Sequence, residues 1–181
     1  MSPQDRALAL DQLRSGWRRL EESVAGLTEA QWNFRPSEGV WSVKDCVEHV
    51  AAVEDAVGKA LRSAKDGAAA HAASNTDEVV MSASPDRRRK IKASADFEPT
   101  GRGAFEETWK NCQASRHRTI AFAETTSRNL REIVFPHPFL SRLDGVQWLL
   151  ALAGHGERHR QQIDELKQLP EFPAPDGRHS T

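Results

Sequence analysis

Apolar residues recur along this chain at spacings of three and four, the period of a helix face, in separate segments. In the first segment Leu10, Leu13, Trp17, Leu20, Val24 and Leu27 form the stripe, and Arg14, Arg18, Arg19, Glu21 and Glu22 fall between them. The pattern predicts a helix from about Pro3, a favourable first-turn residue, to about Ala25, where Gly26 ends it. Pro36 and Gly39 mark the loop that follows. Ser42-Val43-Lys44-Asp45 then has the form of a capping box, a serine that accepts a backbone N–H and an acid that reaches back. Behind it Val43, Cys46, Val47, Val50, Val53, Val57 and Leu61 mark the buried side of a second helix. Valine suits strands as well, but this spacing is helical rather than alternating.

A third helix is expected from about Gly103 to Thr126, carrying Phe105, Trp109, Cys112 and Ile120, and a fourth from about Asp144 to Leu169. Phe135-Pro136-His137-Pro138, between them, reads as loop. Residues 65–101 break the pattern with Gly67 to Ala70, Ser82 to Pro85 and Pro99 to Gly103, and leave room for one short helical piece near Val79. A connection of that length is uncommon in a compact domain unless it crosses the fold or serves a site. With no segment alternating as a strand and no internal repeat, the expected fold is all-α. It is a four-helix bundle over residues 1–169 with a long crossover between helices two and three, and residues 170–181 form a loosely held C-terminal tail.

Composition adds bounds. A chain of 181 residues is long enough for one domain with a single sizeable core. Its net charge of −1 provides no general attraction to nucleic acid or to an anionic membrane, so neither is an expected partner. Cys46 and Cys112 lie far apart in no paired spacing and read as reduced residues. No basic flank precedes an apolar run at the N-terminus, and no stretch of about 18 apolar residues occurs. The expected location is therefore cytoplasmic.

The chemistry concentrates in His155-Gly156-Glu157-Arg158-His159. Histidines four apart share a helix face, and Trp148, Leu152, His155, His159, Ile163 and Leu166 continue that face, so both imidazoles point into the bundle while Arg158, Arg160 and Gln161 point elsewhere. Two buried imidazoles need polar partners, and one metal ion satisfies both. His49, on the edge of the second helix's stripe, is the natural third ligand. Three imidazoles leave the open coordination of a catalytic site rather than a closed structural one. Zn, Ni, Cu and Fe all suit neutral imidazole, with Zn or Ni the leading choices for one divalent ion. Gly154 and Gly156 flank His155 where each costs about 1 kcal/mol of helix propensity relative to Ala, which suggests either a close approach at this turn or a local bend.

Other residues carry weaker signals. Asp45 and Glu48 are candidates for orienting the ligands or for acid–base work, although a helix-cap acid and a solvated charge are the favoured roles. Arg87-Arg88-Arg89-Lys90 is a basic run without a nucleic-acid recognition motif, better suited to a solvated loop or the rim of an anionic substrate's site. His71 and His179 sit in polar chain, His117 lies beside Arg116 and Arg118 on an exposed face, and His137 precedes a proline, so none is expected to bind metal. Cys46 and Cys112 read as small core residues, and Cys46 sits one turn from His49.

Taken in order, Trp41-Ser42-Val43-Lys44-Asp45-Cys46-Val47-Glu48-His49-Val50, His137-Pro138-Phe139-Leu140, Gln147-Trp148-Leu149 and His155-x-x-x-His159-x-x-Gln162-Ile163 resemble the DinB-like superfamily. The segment Arg89-Lys90-Ile91-Lys92-Ala93 with Phe97 and Pro99 is similar to that family's crossover loop. The resemblance implies an up-down-down-up bundle and metal ligands at His49, His155 and His159. It also implies kinship with thiol-dependent S-transferases and isomerases. The sequence departs from the pattern at Gly156, where an acidic residue is frequent, and at Ser141, where glycine is frequent.

The resulting expectation is a metal-dependent protein acting on a small molecule, either an S-transferase of low-molecular-weight thiols or a hydrolase. A non-catalytic, stress-associated metal-binding module is the alternative, and a homodimer is compatible with either. The 65–101 connection is expected to wall the substrate pocket over the metal.

Overall fold

Four long helices carry the fold: α1 (Pro3–Val24), α3 (Val43–Ser63), α5 (Phe105–Thr125) and α6 (Gly145–Lys167), with short α2 (Glu29–Asn33) and α4 (Asp77–Ala83) in the connections. The structure, a computed structural model, describes residues 1–65, 73–88 and 90–175. Gly67 to Ala70, His71, Arg89 and His179 lie outside them.

Local chemistry starts the helices where the sequence suggests. Ser2 caps α1 ahead of Pro3, and Ser42 and Asp45 form the reciprocal box at α3. Asp144 caps α6 by accepting from the N–H groups of Val146 and Gln147. Gly26 takes a positive φ just after α1. Two elements differ from expectation. Thr28 and Gln31 build a capping box for α2, a single turn too short to show a period. The segment expected as loop around His137 is β1 (Val134–His137), paired antiparallel with β2 (Ser141–Asp144). Four residues containing Pro136 give no alternation to read, yet the two strands pair, because both strands of a two-stranded ribbon are edges, where proline's missing donor is tolerated, and Leu143 and Phe135 pack the ribbon against the bundle.

The four long helices enclose two apolar clusters, one around Leu13, Leu61 and Leu149 and one around Trp17, Val47 and Ile163. α1 lies against α5 and α6, and α3 lies against the same two, which places α1 and α3 on opposite corners. Arg6, at the start of α1, donates to the carbonyls of Ala123 and Thr126 at the end of α5. Lys44, near the start of α3, donates to Gly101 and Gly103 just before α5, while Arg128, just after α5, donates to Leu61 at the end of α3. Helices α3 and α5 therefore run side by side in the same direction, and the chain between them must return the length of the bundle.

That return path runs along α6. Ser74 donates its N–H to the Arg142 carbonyl, and α4 packs on α6. Ser84 and Pro85 then press on Gly154, where an added Cβ would stand 2.5 Å from the Ser84 Cβ and 3.1 Å from the Pro85 Cδ. This close approach explains the first helix-breaking glycine beside His155. Gly156 faces Arg116, whose Nη2 lies 3.2 Å from where a Cβ would be. Arg116, expected on an exposed face, is instead fully buried and paired with Glu54 at 3.0 Å. The start of the expected tail is also packed. Phe172 meets the Phe34 ring edge-on, and Gln31 donates to the Pro173 carbonyl.

Candidate metal centre

The helix-face argument places His155 and His159 one turn apart on α6, pointing toward α3, and packing of α3 against α6 brings His49 to the same point. The His155 Nε2 lies 3.1 Å from the Nε2 of His49 and 3.2 Å from that of His159. Imidazoles sharing one ion at about 2.0–2.1 Å stand roughly 3.0–3.4 Å apart, so these separations fit a common ligand. Among the described residues no other set of three His, Cys, Asp or Glu side chains converges in this way. His49 and His159 are buried, and His155 is partly buried.

The second nitrogen of two ligands is already committed. His49 Nδ1 lies 2.7 Å from the carbonyl oxygen of Phe97. A carbonyl only accepts, so Nδ1 carries the proton and Nε2 presents a bare lone pair. His159 Nδ1 lies 3.2 Å from Gln162 Oε1, and that same oxygen accepts from Arg87 Nη1 at 3.2 Å. Trp41 covers the pair, stacked on His159 at 5.8 Å and tilted against His49 at 4.8 Å between ring centres.

Burial favours the neutral form of these imidazoles, the form that ligates a metal. Burial pushes the His49 pKa below its ordinary 6.5, although the Phe97 carbonyl opposes it. Burial pushes His155 and His159 well below that value, with smaller contributions from the neighbouring imidazoles and from Arg158. Lone pairs therefore converge in a place that opposes imidazolium formation, and a divalent ion accepts them without needing their protonation. The residues fit such a group: His49, His155 and His159 would hold it, and the Phe97 carbonyl and Gln162 orient two of these rings.

Asp45 and Glu48 are both engaged away from the centre. Asp45 Oδ2 accepts from the Ser42 N–H and hydroxyl, and Oδ1 accepts from Arg35 at 2.8 Å, so the cap role is the observed one. Glu48 is partly exposed and is not among the converging side chains. Its carboxylate accepts from the Thr100 N–H and hydroxyl and from the Gly101 N–H. Of the basic run, Arg87 pairs with Glu165 and Arg88 with Asp86. Arg158 points away from the ligand face, as expected, but is buried under the connection, where it donates to the Asp86 carbonyl. Cys46 is buried, and burial raises its thiol pKa, so it offers no thiolate. His137 turns its Nδ1 to the N–H groups of Phe139 and Leu140, and burial lowers its pKa to about 4.

The 65–101 connection thus reaches the centre, but behind the ligands. Two clefts, of about 290 and 340 Å³, are lined by no site histidine. Sequence reasoning missed Trp41, Arg87 and the Phe97 carbonyl as parts of the centre. Gln162, three residues after His159 on the same face, carried a usable signal. A main-chain carbonyl carries none.

Comparison with known proteins bears on the fold and the family. A curated relative, the uncharacterized protein YuaE of Bacillus subtilis (strain 168), is 26% identical over 153 residues, covering 83% of this chain and 93% of the relative. The four-helix bundle protein TT2238 shares the fold with a TM-score of 0.57 at 20% identity, over 87% of this chain and 96% of that one. YfiT from Bacillus subtilis, described as a probable metal-dependent hydrolase with an unusual four-helix bundle topology, superposes with a TM-score of 0.58 at 16% identity. That match covers 91% of this chain and 87% of YfiT. Residues 12–163, which span the bundle from α1 to α6 and include all three histidines, match the family model, and the chain belongs to the DinB superfamily.

Proposed function

We propose that this protein is a metal-dependent enzyme that holds one divalent ion, Zn or Ni before others, on His49, His155 and His159 and acts on a small molecule. The observation that carries the proposal is the convergence of three imidazole Nε2 atoms, with two of the rings held through their other nitrogen. A divalent ion supplies Lewis acidity there, the property that generates a nucleophile from water or a thiol near neutral pH. The chain's own residues do the rest. The Phe97 carbonyl and Gln162 keep the Nδ1 protons of His49 and His159, and Trp41 excludes water from one side of the ligands.

The substrate is a small molecule. Two reactions suit such a site, S-transfer from a low-molecular-weight thiol and hydrolysis. YfiT's description supports hydrolysis, and the resemblance stated above supports S-transfer. Asp45 and Glu48 are both consumed by structural hydrogen bonds, so neither is a free general base, which favours a substrate that brings its own nucleophile. A non-catalytic role for the ion would suit a closed ligand set better than this open one. The test is turnover by zinc- and nickel-loaded protein with a panel of thiols plus electrophiles, beside esters and amides without thiol. Metal-dependent turnover that disappears in His155→Ala supports the proposal. Saturable metal binding with no turnover in either panel favours the non-catalytic module.

A further inference from the structure

The connection from α4 to α5 meets the metal centre at two points, and at both a charged side chain outside the ligand set decides what a ligand nitrogen can do. The first point is His159. Gln162 offers either an oxygen or an NH2 group to its surroundings, and the imidazole Nδ1 can donate or accept. Arg87 can only donate. Its Nη1 lies 3.2 Å from Gln162 Oε1, and its Nε and Nη2 are anchored on Glu165 at 2.7 and 2.6 Å. The guanidinium therefore holds the amide oxygen toward the shared position, and the His159 Nδ1 beside that oxygen must carry its proton. Without Arg87 the amide is free to turn its NH2 group to Nδ1, which moves the proton to Nε2 and blocks the ligating atom.

The second point is His49. Its partner is the carbonyl of Phe97, in a short turn over residues 95–97 with no side-chain cap. What fixes that turn follows it directly. Thr100 and Gly101 give three hydrogen bonds to the Glu48 carboxylate, and Lys44 donates to the carbonyls of Gly101 and Gly103. Glu48 is adjacent to His49 in sequence, so one turn of α3 holds both the ligand and the anchor of the strap that orients it.

We infer that Arg87 and Glu48 are positioning residues of the metal centre, which keep His159 and His49 respectively in the tautomer with a bare Nε2. The inference rests on the metal-binding reading above. Partners of this kind are typically worth 10–100-fold in metal affinity.

The experiment measures two things on untagged, chelator-stripped protein: zinc affinity by chelator competition, and imidazole tautomers by long-range proton–nitrogen NMR of the metal-free state. Arg87→Ala is expected to weaken zinc binding by about 10–100-fold and to shift His159, but not His49, toward the Nε2–H tautomer. Glu48→Ala is expected to do the converse. Arg87→Lys and Glu48→Gln keep a donor and an acceptor respectively and should recover part of the affinity. They also serve as folded stand-ins if either alanine variant is unstable. Arg118→Ala, which breaks an exposed ion pair with Asp55, is the control and should change neither readout. Unchanged tautomers in both variants overturn the inference. So does a shift of both histidines together in each variant, which would mean general loosening. Failure of the wild type to bind any metal refutes the metal-binding reading instead, and the tautomer measurement still decides the positioning roles.

Discussion

At the scale of single residues, the three histidines are the readable part of the site. Spacing alone put His155 and His159 on the buried stripe of α6, and His49 on the edge of the α3 stripe, and their Nε2 atoms converge. The oddities in the sequence also found physical causes. Ser141, standing where the resembled family favours glycine, has φ 60°, a left-handed conformation costing an L-residue about 1–2 kcal/mol. Ser141→Gly relieves that strain while adding freedom to the unfolded chain, and is expected to leave stability unchanged or raise it by up to about 1 kcal/mol. Chemical denaturation checks this, and a loss above about 1 kcal/mol would mean that its contact with Ser74, at 3.3 Å between hydroxyl oxygens, outweighs the strain. Trp41 and Arg87 were hidden for a different reason. Their roles depend on which distant segment lies beside them, and no local pattern encodes that.

At the scale of elements, capped helices with long apolar stripes were visible, and short pieces held by tertiary contacts were not. Helix α2 and the β1–β2 ribbon each contain too few residues for a period to register. The α6 glycines are the case in which an element's sequence recorded a contact with another. Gly154→Ala must displace Ser84 and Pro85, and is expected to cost about 1–3 kcal/mol. Because Arg87 follows Pro85 by two residues, the same variant should also weaken metal binding. Loss of stability with unchanged zinc affinity would show that the strap tolerates the shift. A second junction depends on Arg131, which binds Asp5 at the start of α1, Asp77 at the start of α4 and the α6 cap Asp144. Hydrogen bonding to Arg131 holds the Asp77 carboxyl below its ordinary 3.8, so its stabilisation is complete above that pH and is lost as pH falls through the lowered value. Burial raises Asp144, which Arg131 only partly offsets. Arg131→Ala leaves three carboxylates facing one another and is expected to cost about 2–4 kcal/mol near neutral pH. The deficit should shrink as pH falls and the carboxylates protonate, first in the variant and then, through the lowered Asp77 value, in the wild type. A deficit independent of pH would assign the loss to packing.

At the scale of the whole molecule, the bundle and its centre are separable. The core is built from the stripes of all four long helices, from Leu13 and Leu20 through Val47 and Leu61 to Leu149 and Ile163, and uses none of the ligand nitrogens. No helix among the described residues is long and apolar enough to cross a membrane. His159→Ala is therefore expected to abolish metal binding while the metal-free protein keeps its cooperative thermal unfolding, within about 2 kcal/mol of wild type. An unfolded variant beside a folded metal-free wild type would contradict that separation. The claim on which the rest depends is that three imidazoles bind one ion, and calorimetric titration of untagged, chelator-stripped protein with zinc tests it most directly. One saturable site per chain that disappears in His155→Ala is the expected result. No saturable binding in the wild type, or binding that His155→Ala leaves intact, would contradict it.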